Sequence, residues 1–179
     1  DMKVEGFVKM DEGISDDSLE TLVGDIVRYQ SKDNSTMAAL QEHFTKLSGR
    51  EATSVCGFSS KYKYSATCFV EGNFVIGAPE FVLRSDFARY EDYISNISNK
   101  GYRVLAIAKT SEVPNGGRLE APARLLGLVF LDNPVRESAK ETFEYFAANG
   151  VEIKVISGDN PETVSHVAME AGIIGGDHY

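Results

Sequence analysis

The sequence is short of basic residues, cysteines, histidines and long apolar runs, and each shortage removes a class of function. Lysine and arginine total 18 against 27 aspartates and glutamates, a formal charge of −9 with a pI near 4.8. Binding nucleic acid takes a basic footprint that displaces counterions from phosphates, so nucleic acid is not an expected partner. The two cysteines, Cys56 and Cys68, sit in apolar, strand-like settings. They are too few for a disulfide or zinc framework and read as small buried hydrophobes of a reducing compartment. His43, His166 and His178 lie far apart, without the spacing of metal ligands. The longest apolar stretch, residues 125–131, is strand-length. A helix that crosses a bilayer needs about 20 apolar residues, so the piece reads as soluble. Residues 1–11 alternate charged and apolar side chains, unlike the hydrophobic block of a signal peptide. There is no Gly-Lys pair, hence no Walker-type phosphate loop, and no Gly-x-Ser-x-Gly nucleophile elbow.

What is present suffices for a core: 179 residues, 42% of them hydrophobic, make one large domain or two small ones. Residues 2–10 alternate and predict a strand. Ser15 as N-cap, followed by Leu19, Leu22, Val23 and Ile26 at helical spacing, predicts a helix to about Gln30. A second helix is expected over 36–47. Strands are expected over 52–59, 63–71 and 73–76, with a tight turn at Glu71-Gly72-Asn73. Short helices follow over 79–83 and 87–99, stopped by Gly101, and then a strand over 102–109.

After Pro122 the pattern changes. Residues 125–131 are continuously apolar, as in a strand covered on both faces, and 136–149 form an amphipathic helix. Residues 151–156 read as a second buried strand, and Pro161 opens another helix. This alternation predicts a parallel unit. The expected fold class is α/β, in two parts. Residues 1–121 form an α+β domain with an antiparallel sheet and flanking helices. They join near residues 120–122 to a partial Rossmannoid segment, 122–179.

In such a parallel unit, consecutive strands end on one edge of the sheet, where ligands of open α/β folds bind. Two polar clusters fall there: Asp132-Asn133-Pro134-Val135-Arg136 and Ser157-Gly158-Asp159-Asn160. The second opens a helix, whose free N–H groups make an anion site that Gly158 leaves open to close approach. Ser157 offers a donor to a phosphate oxygen. Carboxylates beside phosphate call for a divalent cation between them, and magnesium is the usual one. Taken singly, the same residues also serve as helix caps and turn closers.

At this point five stretches, in order, resemble the P-type ATPase family. Phe58-Ser59-Ser60-Lys61-Tyr62-Lys63 is similar to its Phe-Ser-x-x-x-Lys nucleotide strand. Gly77-Ala78-Pro79-Glu80 matches four residues of Lys-Gly-Ala-Pro-Glu, and Gly101 to Ala106 resembles Gly-x-Arg-x-Leu-Ala. Asp132 to Arg136 resembles Asp-Pro-x-Arg, with either Asp132 or Asn133 filling the first place. Ser157-Gly158-Asp159 stands for Thr-Gly-Asp. The resemblance implies a nucleotide-binding domain with part of a haloacid-dehalogenase-like phosphorylation domain, from a bacterial-type branch. It implies that Phe58 stacks on adenine, Lys63 reaches the nucleotide beside Gly77, and Arg103 contacts the phosphates, the ligand being Mg-ATP. An aromatic face flanked by cations is a sound nucleotide seat. Alternation along 63–70 places Lys63, Ser65 and Thr67 on one, open face. Taken without the resemblance, Phe58 also reads as core and Lys63 and Arg103 as surface charges.

Two departures from the family's pattern stand out: Ile76 replaces the motif lysine, which removes one cation from the expected ATP pocket, and Met37 takes the place of a common acidic residue. The family's phosphorylated aspartate, in Asp-Lys-Thr-Gly-Thr, has no counterpart here, nor does its Gly-Asp-Gly segment. The resemblance therefore implies a piece that follows the phosphorylation motif, binds ATP without turning it over, and belongs with actuator and membrane domains of one protein on the cytoplasmic side of the membrane. In that pump Ser157, Asp159 and Arg136 would orient the transferred phosphate. The alternatives are a haloacid-dehalogenase-type phosphatase with an inserted cap, which would need its own aspartate nucleophile, and a non-catalytic nucleotide-binding module.

Overall fold

Six segments pair into a single sheet in which every neighbouring pair is antiparallel. They are β1 (Lys3–Lys9), β2 (Ala52–Ser59), β3 (Tyr64–Phe69), β4 (Gly72–Gly77), β5 (Arg103–Thr110) and β6 (Arg124–Asp132), in the spatial order β1-β6-β5-β4-β3-β2. The computed structural model describes residues 2–132, 137–173 and 175–177. The result is the mixed α/β fold anticipated, a six-stranded antiparallel sheet with flanking helices.

Helices cover both faces. On one lie α1 (Asp16–Val27) and α2 (Ser35–His43), each started by a side-chain cap. Oγ of Ser15 accepts from the Ser18 N–H at 3.1 Å, and Oδ1 of Asn34 from the Met37 N–H at 2.7 Å. Leu19, Val23, Ile26, Leu40 and Phe44 pack there against Phe69, Phe74, Ile107 and Val129. On the other face lie α3 (Pro79–Leu83), a 3-10 turn (Arg84–Arg89) and α4 (Glu91–Ser98). Val82, Leu83 and Ile94 pack there with Tyr64, Val75, Val104 and Leu128. Each such buried aliphatic side chain stabilises the fold by about 1.5–3 kcal/mol. Two further helices, α5 (Glu137–Ala148) and α6 (Pro161–Glu170), complete the described chain, α6 beginning at its proline as expected. No helix among the described residues is long and apolar enough to cross a membrane.

The parallel unit expected after Pro122 is not formed. β6 runs antiparallel to both of its neighbours, pairing Leu131 with Arg103 of β5 and with Val4 of β1, and so belongs to the same sheet as the residues before Pro122. Residues 151–156 carry no strand, and Ile156 is 96% exposed. The physical reason is that an apolar run reports cover on both faces, not strand direction. Leu125 and Leu128 face the α3–α4 side while Leu126, Val129 and Leu131 face α1 and α2. An antiparallel sheet between two helical layers therefore writes the same pattern as a parallel one. Cys68 is buried and Cys56 half-buried, and burial pushes both thiols up from their ordinary values.

One buried carboxylate ties α1 to the segment that leads into β2. Asp25 is fully buried and accepts from the Ser48 N–H at 2.9 Å and the Ser48 hydroxyl at 2.6 Å, with Arg50 at 3.5 Å. Asp25→Ala removes the charged acceptor that holds Ser48 and Arg50, and hydrogen bonds to a charged group are worth about 1.5–3 kcal/mol. The expected loss for Asp25→Ala is about 2–4 kcal/mol, measured by urea denaturation, against less than about 0.5 kcal/mol for an exposed control such as Glu12→Ala.

Candidate functional site

Antiparallel pairing decides which strand ends meet. Ser59 lies opposite Tyr64, Tyr64 opposite Gly77, Gly77 opposite Ala106, and Arg103 opposite Leu131. The end of β2, the start of β3, the end of β4 and the start of β5 therefore share one rim of the sheet. Phe58, Lys63, Gly77 and Arg103, taken from three separate sequence stretches, line a single cleft there of about 670 Å³. The first turn of α2 forms one wall, α3 and α4 another, and residues 158–163 a third.

Phe58 is 53% exposed, so its ring is a free surface and not a piece of core. Lys63 sits in the turn before β3, at φ +55°, in the left-handed region that few non-glycine residues adopt. Its N–H donates to the Ser59 carbonyl at 2.7 Å, and its own carbonyl accepts from the Ala78 N–H at 2.9 Å. Gly77 makes that closeness possible: a Cβ there would stand 2.3 Å from the Lys63 carbonyl oxygen and 2.7 Å from Tyr64 Cα. Turn geometry, and not the strand alternation anticipated, thus presents Lys63. The expected open face closes at Thr67, which is fully buried, donates to the Ile26 carbonyl at 2.8 Å and accepts from Nε2 of Gln30 at 3.1 Å.

Arg103 reaches across the cleft. One of its terminal nitrogens donates to Oγ1 of Thr36 at 3.0 Å, and the other pairs with the Asp159 carboxylate. Gly158 and Asp159 line the cleft, whereas Ser157 is exposed and its Oγ accepts from the Asp159 N–H at 3.1 Å. The anion site expected at the start of α6 is taken by the protein itself. Oδ1 of Asn160 accepts from the N–H groups of Glu162 and Thr163, at 2.9 and 3.4 Å. Asp132 ends β6 at the same rim of the sheet but does not line the cleft. Arg136 and Asn133 lie outside the described residues.

The lining carries two cations, Lys63 and Arg103, and four carboxylates, Glu80, Glu91, Asp159 and Glu162. Ile76 and Met37, the two departures noted above, are both lining and core: each is buried against the α1–α2 side. Among the described residues no three His, Cys, Asp or Glu side chains are grouped to hold a metal. Sequence reasoning missed Thr36 as the partner of Arg103 and the carboxylates Glu91 of α4 and Glu162 of α6. The polar break before α2 signalled its first turn, but nothing local announces a contact spanning 67 positions.

Comparison with known proteins decides the family. The chain is 34% identical over 178 residues to the calcium-transporting ATPase CtpE of Mycolicibacterium smegmatis, covering 97% of this chain and 22% of that protein. It is 29% identical over 174 residues to the probable cation-transporting ATPase exp7 of Streptococcus pneumoniae, covering 96% of this chain and 22% of that protein. This chain belongs to the P-type ATPase family. It spans about a fifth of the length of these relatives. The crystal structure of a zinc-transporting PIB-type ATPase in its E2.Pi state shares the fold, with a TM-score of 0.59 at 18% identity, covering 96% of this chain and 26% of that one. No family model matches the chain.

In this P-type ATPase segment the shape of the cleft hangs on Gly77. Gly77→Ala is expected to lower stability by about 1–3 kcal/mol, the usual effect of forcing an atom into packed backbone. It is also expected to move the Lys63 and Tyr64 amide resonances more than those of β1 or α5. A thermal melt and an amide spectrum check both.

Proposed function

We propose that the cleft seats Mg-ATP, and that the chain is the nucleotide-binding part, with a portion of the phosphorylation part, of a cation-transporting pump. The observation that carries this reading is the convergence of Phe58, Lys63, Gly77 and Arg103 on one cleft. A cleft of about 670 Å³ is of a size that takes a nucleotide. The exposed Phe58 ring offers a stacking surface worth about 1–3 kcal/mol to a base. The Lys63 ammonium makes no ion pair among the described residues and stays available to the ligand's negative charge. With four carboxylates against two cations in the lining, a triphosphate enters accompanied by a divalent cation, which supplies the missing positive charge.

On this reading Phe58 stacks on the base, Lys63 reaches the nucleotide, and Arg103 meets the phosphates. Asp159, together with Ser157, Arg136 and Asp132, orients the group to be transferred. The acceptor is an aspartate outside this chain, so positioning and charge are what these residues contribute. The remaining phosphorylation, actuator and transmembrane parts of one protein are the partners, the chain lies on the cytoplasmic side, and the transported ion is calcium or another divalent cation. Because β6 belongs to the sheet, the division between the nucleotide-binding and phosphorylation parts is proposed to fall after Asp132.

Titration with Mg-ATP, followed by amide chemical shifts, tests the seat. Phe58→Ala is expected to weaken binding about tenfold, the equivalent of roughly 1.4 kcal/mol of lost stacking; unchanged affinity would move the pocket elsewhere. Lys63→Gly separates binding from folding. Glycine relieves the left-handed backbone while adding freedom to the unfolded chain, so stability should stay within about 0.5 kcal/mol while affinity falls several-fold. Steady-state ATP hydrolysis that persists through purification would contradict the absence of a nucleophile.

A further inference from the structure

Of the seven described arginines, five have a counterpart for their charge. Arg50, Arg103 and Arg124 pair with Asp25, Asp159 and Asp11, and Arg28 and Arg89 stack on the tyrosines that follow them. Among the described residues Arg84 and Arg118 have neither a carboxylate nor a ring. Both line one recess of about 540 Å³ beside α3. The recess is separate from the cleft but shares with it a wall formed by Glu80, Phe81 and Phe87. In a chain with 27 acidic residues against 18 basic ones, it is lined by two guanidiniums and a single carboxylate, that of Glu80.

Arg84 follows α3 at φ +50°, a backbone conformation costly for any residue but glycine. One of its terminal nitrogens donates to the Leu119 and Glu120 carbonyls, at 2.7 and 2.6 Å. These bonds tie down the loop between β5 and β6 just after Arg118. Just before Arg118, the Tyr64 hydroxyl donates to the Gly117 carbonyl at 2.6 Å and accepts from the Gly116 N–H at 3.1 Å. Arg118 is thus an exposed residue on a backbone held from both sides. Holding carbonyls takes a donor and not a charge, so the positive charge of Arg84 is left over. Its Nε is buried, but its second terminal nitrogen is not, and that atom donates to nothing among the described residues. Each guanidinium therefore offers the recess an accessible donor.

A guanidinium presents donors in a fixed fork that matches the oxygens of a carboxylate or a phosphate. Two of them in one recess repel each other until an anion joins them. A phosphate monoester brings about −1.5 to −2 charges and three acceptor oxygens, where a carboxylate brings one charge and two. The rest of the lining selects the body of the ligand. Tyr62, Phe81 and Phe87 present rings, Phe81 being 36% exposed, and such rings stack on planar groups. The volume is that of a small-molecule pocket.

We infer that this recess is a second binding site, distinct from the cleft, for a small phosphate monoester built on an aromatic ring and gripped by Arg84 and Arg118. The inference does not depend on what the cleft holds. The test titrates the 179-residue chain with phenyl phosphate, with inorganic phosphate as the probe without a ring and benzyl alcohol as the probe without a charge. Binding is followed by amide chemical shifts. Phenyl phosphate should move the resonances of residues 82–87 and 117–120 and bind about tenfold more tightly than either control probe. Arg118→Ala, a change at an exposed position, should weaken phenyl phosphate about tenfold, as expected for hydrogen bonds between charged groups. Arg84→Lys keeps the charge and loses the fork, so binding should weaken several-fold. If that variant does not hold the loop, its amide spectrum shows it and Arg118→Ala carries the test. Phe58→Ala, which alters the cleft, should leave the binding of phenyl phosphate unchanged. Inorganic phosphate binding as tightly as phenyl phosphate overturns the inference, as does an Arg118→Ala chain of unaltered affinity. So does loss of the shifts in Phe58→Ala, which puts the probe in the cleft. Absence of shifts at the recess with phenyl phosphate overturns it as well and leaves the two arginines to an acidic peptide.

Discussion

A single backbone contact organises the cleft: the Ala78 N–H on the Lys63 carbonyl, made across the bare α-carbon of Gly77. It locks the end of β4 against the turn that precedes β3, and so holds Lys63 in a conformation that an unconstrained lysine avoids. It also pins the register of β3 on β4, and through β4 that of β5. A slip by one residue would turn every side chain on a strand to the opposite face. Phe58, Lys63 and Arg103 come from three different strand ends, so their convergence is a property of pairing and not of any one segment.

The floor of the cleft is the outside of the core. Met37, Leu40 and Ile76 are buried in the cluster beneath α1 and α2, and the same residues line the cleft. A site built on packed secondary structure is more firmly shaped than one built on loops, since any movement of the floor must also disturb close-packed neighbours. The third wall differs. Residues 158–163 are tied to the sheet by the Arg103–Asp159 pair and the bond from Thr163 to the Tyr102 carbonyl, both of them polar. His166 adds a close packing contact on the α-carbon of Gly101, which is at φ +89°.

Much of this was legible in the sequence, for identifiable reasons. The caps at Ser15 and the proline at the start of α6 are local signals, and the elements they announce are where they were expected. Strand β2 and helix α3 were expected with the bounds they have, since alternation and an initial proline fix them. Strand direction was not legible. Residues 125–131 are apolar because helices lie on both sides, and that holds for either direction. Residues 151–156 have strand-forming side chains, but a strand needs a partner's hydrogen bonds, and among the described residues none supplies them. At the site, the motif residues were recognisable, while Thr36, Glu91 and Glu162 were not. They arrive from elements whose approach depends on the folded sheet.

The first and last strands of the sheet lie side by side, Lys3 of β1 opposite Asp132 of β6. Everything from the first strand to the last is therefore a closed loop of chain that starts and finishes at one place. A body attached in this way can be carried within a larger chain as an insertion, because a host sees two adjacent strand ends and no more. Among the described residues that pair is not the body's sole tie, since Asp159 and Thr163 also hold Arg103 and the Tyr102 carbonyl. A swing about the two-stranded stem would therefore spare every hydrogen bond inside the sheet and part these polar ties instead.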